Sequence, residues 1–121
     1  ANGNYAFIDS LAEARKVLRR FGSRARFVVA SSAEGAELCG IESWVPGFVY
    51  LDGDHREKAV LADIDAWWPL VAPGGILAGH DWDDCPAWQD GIRAAVRARL
   101  GEPEVVRETG QPWSWWVRKP A

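Results

Sequence analysis

A chain of 121 residues has the size of a single domain, long enough to bury a core, and its 48% hydrophobic and 26% charged content excludes a long disordered region. The net charge of -3 argues against a nucleic-acid surface, which needs Lys and Arg gathered on one face. No apolar run approaches the roughly 20 residues that span a bilayer, so no membrane partner is expected.

In chain order, Ser10-Leu11-Ala12-Glu13 has the S-x-x-E form of a capping box. Leu11, Ala14, Leu18 and Phe21 follow at helical spacing up to Gly22, which predicts an amphipathic helix. Arg26 to Ala30 is a short apolar run that reads as a strand. Ser31 or Ser32 can then cap a second helix from Ala33 to Leu38. Gly47-Phe48-Val49-Tyr50-Leu51 is a continuous apolar strand of the kind covered on both faces, and it ends abruptly in acids.

Val60, Ile64, Trp67 and Val71 mark the buried stripe of the next helix, stopped by Pro73-Gly74-Gly75 before a short strand, Ile76-Leu77-Ala78. Asp90 can cap a helix carrying Ile92, Val96 and Leu100, with Gly101 past its end. Glu104 to Arg107 and Trp113 to Val117 read as two strands with no helix between them, hence an antiparallel pair. Basic residues at Arg15-Lys16, Arg19-Arg20, Arg93, Arg97 and Arg99 fit solvated helix faces. The eight Trp fall in three groups, Trp67-Trp68, Trp82 with Trp88, and Trp113 with Trp115-Trp116, and read as core or interface mass. Cys39 and Cys85 have no CxxC spacing, so neither a disulfide framework nor a thiolate metal site is expected, and a reducing cytoplasm is the expected compartment.

The pattern αβαβαβαββ predicts one α/β layered domain over 1–121 in which right-handed crossovers bring successive strand ends to one edge. Ligands in such sheets bind beyond the carboxyl ends of the strands, and here two consecutive strands end in polar clusters. Asp52 and Asp54 on one loop, with His80 and Asp81 on the other, offer oxygen ligands suited to Mg2+, Ca2+ or Mn2+. Against this stands the plainer reading that Asp54 or Asp81 only caps the following helix. His80 could ligate a metal, act as a base or orient Asp81. His55, three residues after Asp52, could take a proton from a hydroxyl substrate or simply pack at a helix start.

Phe48 to His55, the spaced Asp63 and Trp67, the stretch Pro73-Gly74-Gly75-Ile76-Leu77-Ala78-Gly79-His80-Asp81-Trp82, and Gly91 to Val96 together resemble class I methyltransferases of the family 24 type. The resemblance covers roughly Leu11 to Lys119. It implies a Rossmann-like three-layer sandwich with a mostly parallel sheet and a carboxyl-terminal antiparallel pair. It also implies S-adenosylmethionine lying across the strand ends. By position, the acids that hold a divalent cation in related O-methyltransferases fall on Asp52 and Asp81, with His80 in place of a further acid. The general base of catechol-type relatives falls on His55. Ser31 and Ser32 resemble the position beside the adenine ring, and Asp52 and Gly53 lie where the cofactor passes.

The glycine-rich strand-turn that grips the cofactor in complete members has no recognisable counterpart, so the resemblance is to a carboxyl-terminal, truncated portion. The expected activity is methylation of a small-molecule hydroxyl. The alternative is a non-catalytic module acting in binding or assembly, and a metal-dependent hydrolase using the same acids is a third possibility. An uncovered apolar edge beside the Phe48 strand predicts a homo-oligomer.

Overall fold

The computed structural model describes residues 2–82, 91–110 and 112–121, with residues 2–9 described by their backbone. Asp83 to Asp90, which include Cys85, Trp88 and the expected cap Asp90, lie outside the described residues.

The chain opens with α1, Asn2–Leu18, continued by a 3-10 segment, Arg19–Arg24. Ser10 and Glu13 are therefore interior to a helix, and the expected capping box is not formed there. The capping box occurs one helix later. Ser31 caps α2, Ser32–Ile41, its hydroxyl accepting from Glu34 N at 3.1 Å while Ser31 N donates to Glu34 Oε1 at 3.3 Å.

Between them, Arg26 to Ala30 forms no strand, contrary to the expectation from its apolar run. A strand is defined by its ladder, and among the described residues this segment has no partner strand; Val28 and Val29 are exposed. Two of its side-chain contacts use charge: the Arg26 guanidinium forks onto the Glu42 carboxylate at 2.6 and 3.0 Å, and the Arg15 guanidinium lies over the Phe27 ring.

The remaining elements are β1 (Phe48–Leu51), α3 (Glu57–Trp67, extended by a 3-10 turn to Leu70), β2 (Ile76–Gly79), α4 (Gly91–Leu100), β3 (Glu104–Val106) and β4 (Ser114–Arg118). They form a Rossmann-like α/β unit around a four-stranded sheet of order β1-β2-β4-β3. The β1 to β2 pairing is parallel, as a helical crossover through α3 requires, whereas β4 runs antiparallel to both β2 and β3. The described sheet is thus mixed rather than mostly parallel, because the Arg26 to Ala30 segment contributes no parallel strand to it.

Alternation along the strands decides which face is covered. Val49, Leu51, Leu77, Val105, Trp115 and Val117 point to one side, where Val60 and Ile64 of α3 and Ile92, Ala95 and Val96 of α4 meet them in a single core. On the other side Phe48, Tyr50 and Val106 are exposed. The Lys119 ammonium closes the end of α3 by donating to the carbonyls of Trp68 and Val71, both at 2.9 Å. No described helix is long and apolar enough to cross a membrane.

Candidate active site

Parallel pairing of Leu51 with Gly79 puts the next residues of the two strands, Asp52 and His80, side by side at the carboxyl edge. The ladder runs one step further, with His80 N donating to Leu51 O at 3.0 Å, which fixes the height of one loop against the other. His80 Nδ1 consequently lies 3.3 Å from Asp52 Oδ1 and 3.1 Å from Asp81 Oδ1. One ligating atom from each of Asp52, His80 and Asp81 falls within 4.8 Å of the others.

Asp81 adopts φ 60, a left-handed conformation that Asp tolerates better than most side chains. The following residue anchors it. Trp82 is buried; its N–H donates to Trp113 O at 3.0 Å, its carbonyl accepts from Arg93 Nε at 2.6 Å, and Arg93 and Arg97 both lie over its indole. With its backbone so held, the Asp81 carboxylate faces two rings, since its Oδ2 lies 2.8 Å from His55 Nε2. The structure therefore brings His55, expected as a base, to the same carboxylate that the strand-end reading placed among metal ligands.

Asp54 does not join this cluster. Its carboxylate is taken by Arg56, through the backbone N–H at 2.9 Å and a guanidinium fork. Those hydrogen bonds hold the Asp54 carboxyl down from 3.8 to about 2.

Beneath the cluster lies a recess of about 20 Å3 bordered by Asp52, His55, Asp63, His80, Asp81 and Trp115, which is room for one water or ion. Beside it, along the open edge of β1, a groove of about 420 Å3 is lined by Ser32, Phe48, Tyr50, Asp52, Gly53 and Trp67 among others. Ser32, Asp52 and Gly53, from the amino-terminal and central parts of the chain, thus share one groove. The Ser32 hydroxyl accepts from Trp67 Nε1 at 2.9 Å and keeps its own hydrogen to donate. Ser31 is not on the groove wall; its hydroxyl serves the α2 cap.

Sequence reasoning missed several contributors. Tyr50 Oη is 2.7 Å from Ser114 Oγ, and the Tyr50 ring lies 6.2 Å from that of His80. The Trp115 indole packs against Gly79, where an added Cβ would collide with Nε1, Cε2 and Cζ2, so only glycine lets the aromatic ring underlie the strand end that carries His80. Strand alternation alone would have placed Trp115 and Gly79 on one face had the β2 to β4 register been known.

A family model described as a methyltransferase domain matches residues 1–82. No curated protein sequence matches. Among solved structures, the chain is similar to CalS11, a TDP-rhamnose 3'-O-methyltransferase of calicheamicin biosynthesis, with a TM-score of 0.64 and 19% identity over 98% of this chain and 53% of that one. It is also similar to a Corynebacterium glutamicum protein (TM-score 0.63, 18% identity, 93% of this chain and 57% of that one). A third likeness is to an O-methyltransferase from Bacillus cereus in complex with SAH (TM-score 0.62, 19% identity, 88% of this chain and 56% of that one). The chain spans a little over half the length of each, and at these identities what is shared is the fold.

Proposed function

The chain belongs to this methyltransferase domain family, and from that premise we propose that it carries the acceptor side of an S-adenosylmethionine-dependent O-methyltransferase acting on a hydroxyl of a small molecule. The observation that carries the reading is the convergence of His55 with Asp52, His80 and Asp81 at the ends of two adjacent parallel strands. Two of the similar structures, the TDP-rhamnose 3'-O-methyltransferase CalS11 and the Bacillus cereus O-methyltransferase in complex with SAH, support both the reaction and the cofactor.

S-adenosylmethionine, when bound, supplies a methyl group on a sulfonium, which an oxygen nucleophile takes while S-adenosylhomocysteine leaves. His55 accepts the proton that the hydroxyl loses as its oxygen attacks. Ser32, Asp52 and Gly53 face the groove in which the cofactor would lie, Ser32 with a hydroxyl hydrogen to donate and Gly53 with exposed backbone. Two carboxylates and one imidazole with converging donor atoms fit a divalent cation such as Mn2+, which Asp52, His80 and Asp81 would hold. Such an ion would supply Lewis-acid polarisation of the acceptor hydroxyl. Asp52 and Asp81 also provide the negative charge that draws a cationic sulfonium toward this edge.

The test is calorimetric titration with S-adenosylmethionine and S-adenosylhomocysteine, with and without Mn2+, followed by transfer of a labelled methyl group to a panel of phenolic and sugar hydroxyls. Saturable cofactor binding and transfer that His55→Ala abolishes are expected; no binding of either nucleoside under any of these conditions rejects the reading.

A second reading, a module for binding or assembly, draws on β1 as an edge strand of the described sheet, where Phe48 is 61% exposed. A homo-oligomer paired through that edge, seen by sedimentation and lacking any affinity for S-adenosylhomocysteine, would favour it.

A further inference from the structure

The segment from Arg15 to Arg26 carries six of the chain's 14 lysines and arginines, Arg15, Lys16, Arg19, Arg20, Arg24 and Arg26, in a protein of net charge -3. Arg26 is neutralised by Glu42 through the fork at 2.6 and 3.0 Å. Arg20 and Arg24 have no carboxylate partner among the described residues. They share one aromatic ring instead, their guanidinium carbons 4.7 and 5.4 Å from the centroid of Phe21. Two like charges gathered on one ring repel each other, and an anion held beside them removes that cost.

These side chains stand at a concave surface. Arg24 and Phe21 line a groove of about 800 Å3 with Leu18, Val28 and Trp44, a size that suits a small organic molecule. Glu42 is the one acid of its wall among the described residues, and Arg26 already answers it. The turn after α2 holds Trp44 by its backbone: Ser43 takes φ 56 and its N–H donates to Gly40 O at 3.1 Å, while Trp44 N donates to Cys39 O at 2.9 Å. The indole is nonetheless 60% exposed, so it offers a face on which a planar ring can stack. Two guanidiniums together match the double charge of a phosphate better than the single charge of a carboxylate, and each presents a planar fork of donors to its oxygens.

We propose that this groove binds a small molecule that joins a phosphate or diphosphate to a planar ring, as a nucleotide does, with Arg20 and Arg24 on the phosphates and Trp44 on the ring. The site shares no residue with the strand-end cluster of Asp52, His55, His80 and Asp81.

Calorimetric titration of the whole chain in low-salt buffer tests it, with ADP as the probe and adenosine and pyrophosphate as its two halves. ADP is expected to bind one to one, at least about 10-fold more tightly than either half, and more weakly as NaCl is added. Arg20→Gln with Arg24→Gln should weaken binding by about 10 to 100-fold, and Trp44→Ala by about 10-fold. All three side chains are exposed, so thermal melting should be unaltered. Lys58→Gln with Arg107→Gln removes the same charge away from the groove and should leave the affinity within about two-fold.

Trp44 also borders the groove along β1 in which the cofactor would lie, so S-adenosylhomocysteine is the competitor to add. Displacement of ADP by it would make the two grooves one site and overturn the proposal while leaving the methyltransferase reading intact. Absence of ADP binding, pyrophosphate binding as tight as that of ADP, or an affinity that the arginine pair does not change also overturns it. A protein that ignores ADP but sediments with vesicles of anionic phospholipid assigns the arginines to a membrane surface instead. ADP binding that persists where no S-adenosylhomocysteine binds upholds the groove and rejects only the methyltransferase reading.

Discussion

The part of the chain before Gly47 and the part after it are equally rich in apolar side chains but use them differently. Of the twelve buried hydrophobic residues among those described, ten lie after Gly47, and only Ala36 and Cys39 precede it. Before Gly47, Val17, Val28, Val29, Ile41, Trp44 and Val45 are all exposed. Burial here follows from access to the covered face of the sheet, where two helices and four strands share one core, and not from hydrophobicity alone. The clustered acids and histidines sit on the edge of that packed unit, and from the amino-terminal part Ser32 lines the groove beside them and accepts from Trp67 Nε1.

If chemistry belongs to the second region, its most damaging change is His55→Ala. Loss of the base should lower kcat by about 10^2 to 10^4-fold. The His55 side chain is 43% exposed, so thermal melting should be little altered. Single-turnover methyl transfer with melting as control checks this, and a kcat within a factor of about two of the parent would move the base elsewhere.

If the core belongs to the second region as well, Trp115→Ala should cost about 3 to 5 kcal/mol, since the indole is 1% exposed and underlies Gly79. Urea unfolding measures it. A cost below about 1 kcal/mol would place the stabilising core outside this sheet.

The two regions were also unequally legible. The strand-end polar clusters, β1, β2 and the antiparallel terminal pair follow from apolar runs bounded by Gly, Pro and acids, signals local to each element. The Ser31 cap was legible for the same reason, because a capping box spans one helical turn. The Arg26 to Ala30 segment has an equally good local signal, yet a ladder needs a partner that no local pattern supplies. Ser10 and Glu13 match a capping box by spacing but lie inside a helix that starts earlier. At the site, the sequence grouped Asp54 with the other acids because it could not weigh Arg56 two residues away. It could not foresee that Asp81 would turn to φ 60 and reach His55 from the neighbouring loop.

Coupling between the regions is open to a gentler test. Trp67→Phe keeps the ring but removes the N–H that donates to Ser32 Oγ, at an expected cost of about 0.5 to 1.5 kcal/mol. In a double-mutant cycle with Ser32→Ala most of that cost should vanish. Additive losses would mean that this hydrogen bond does not join the two parts. Smaller still is the effect expected of Val28→Thr with Val29→Thr, within about 0.5 kcal/mol by urea unfolding, because both side chains are already exposed. A loss of about 2 kcal/mol or more would show that these valines are covered in solution, and the contrast between the regions would then narrow.

The least effect is expected from Asp54, and it separates this acid from its neighbours. Arg56 holds the folded carboxyl at about 2, below the ordinary 3.8, so the ionised form is favoured by folding. The stability this adds is present above pH 3.8 and disappears as the pH falls through 2. A carboxyl 13C titration should therefore find its midpoint near 2, and Arg56→Ala should return it toward 3.8. Addition of Mn2+ should leave that titration where it is, because Asp54 spends its oxygens on the guanidinium while Asp52 Oδ1 and Asp81 Oδ1 both face His80. If Mn2+ moves the Asp54 titration instead, the loop has rearranged to bring a third carboxylate to the cluster, as the spacing of the acids along the chain first suggested.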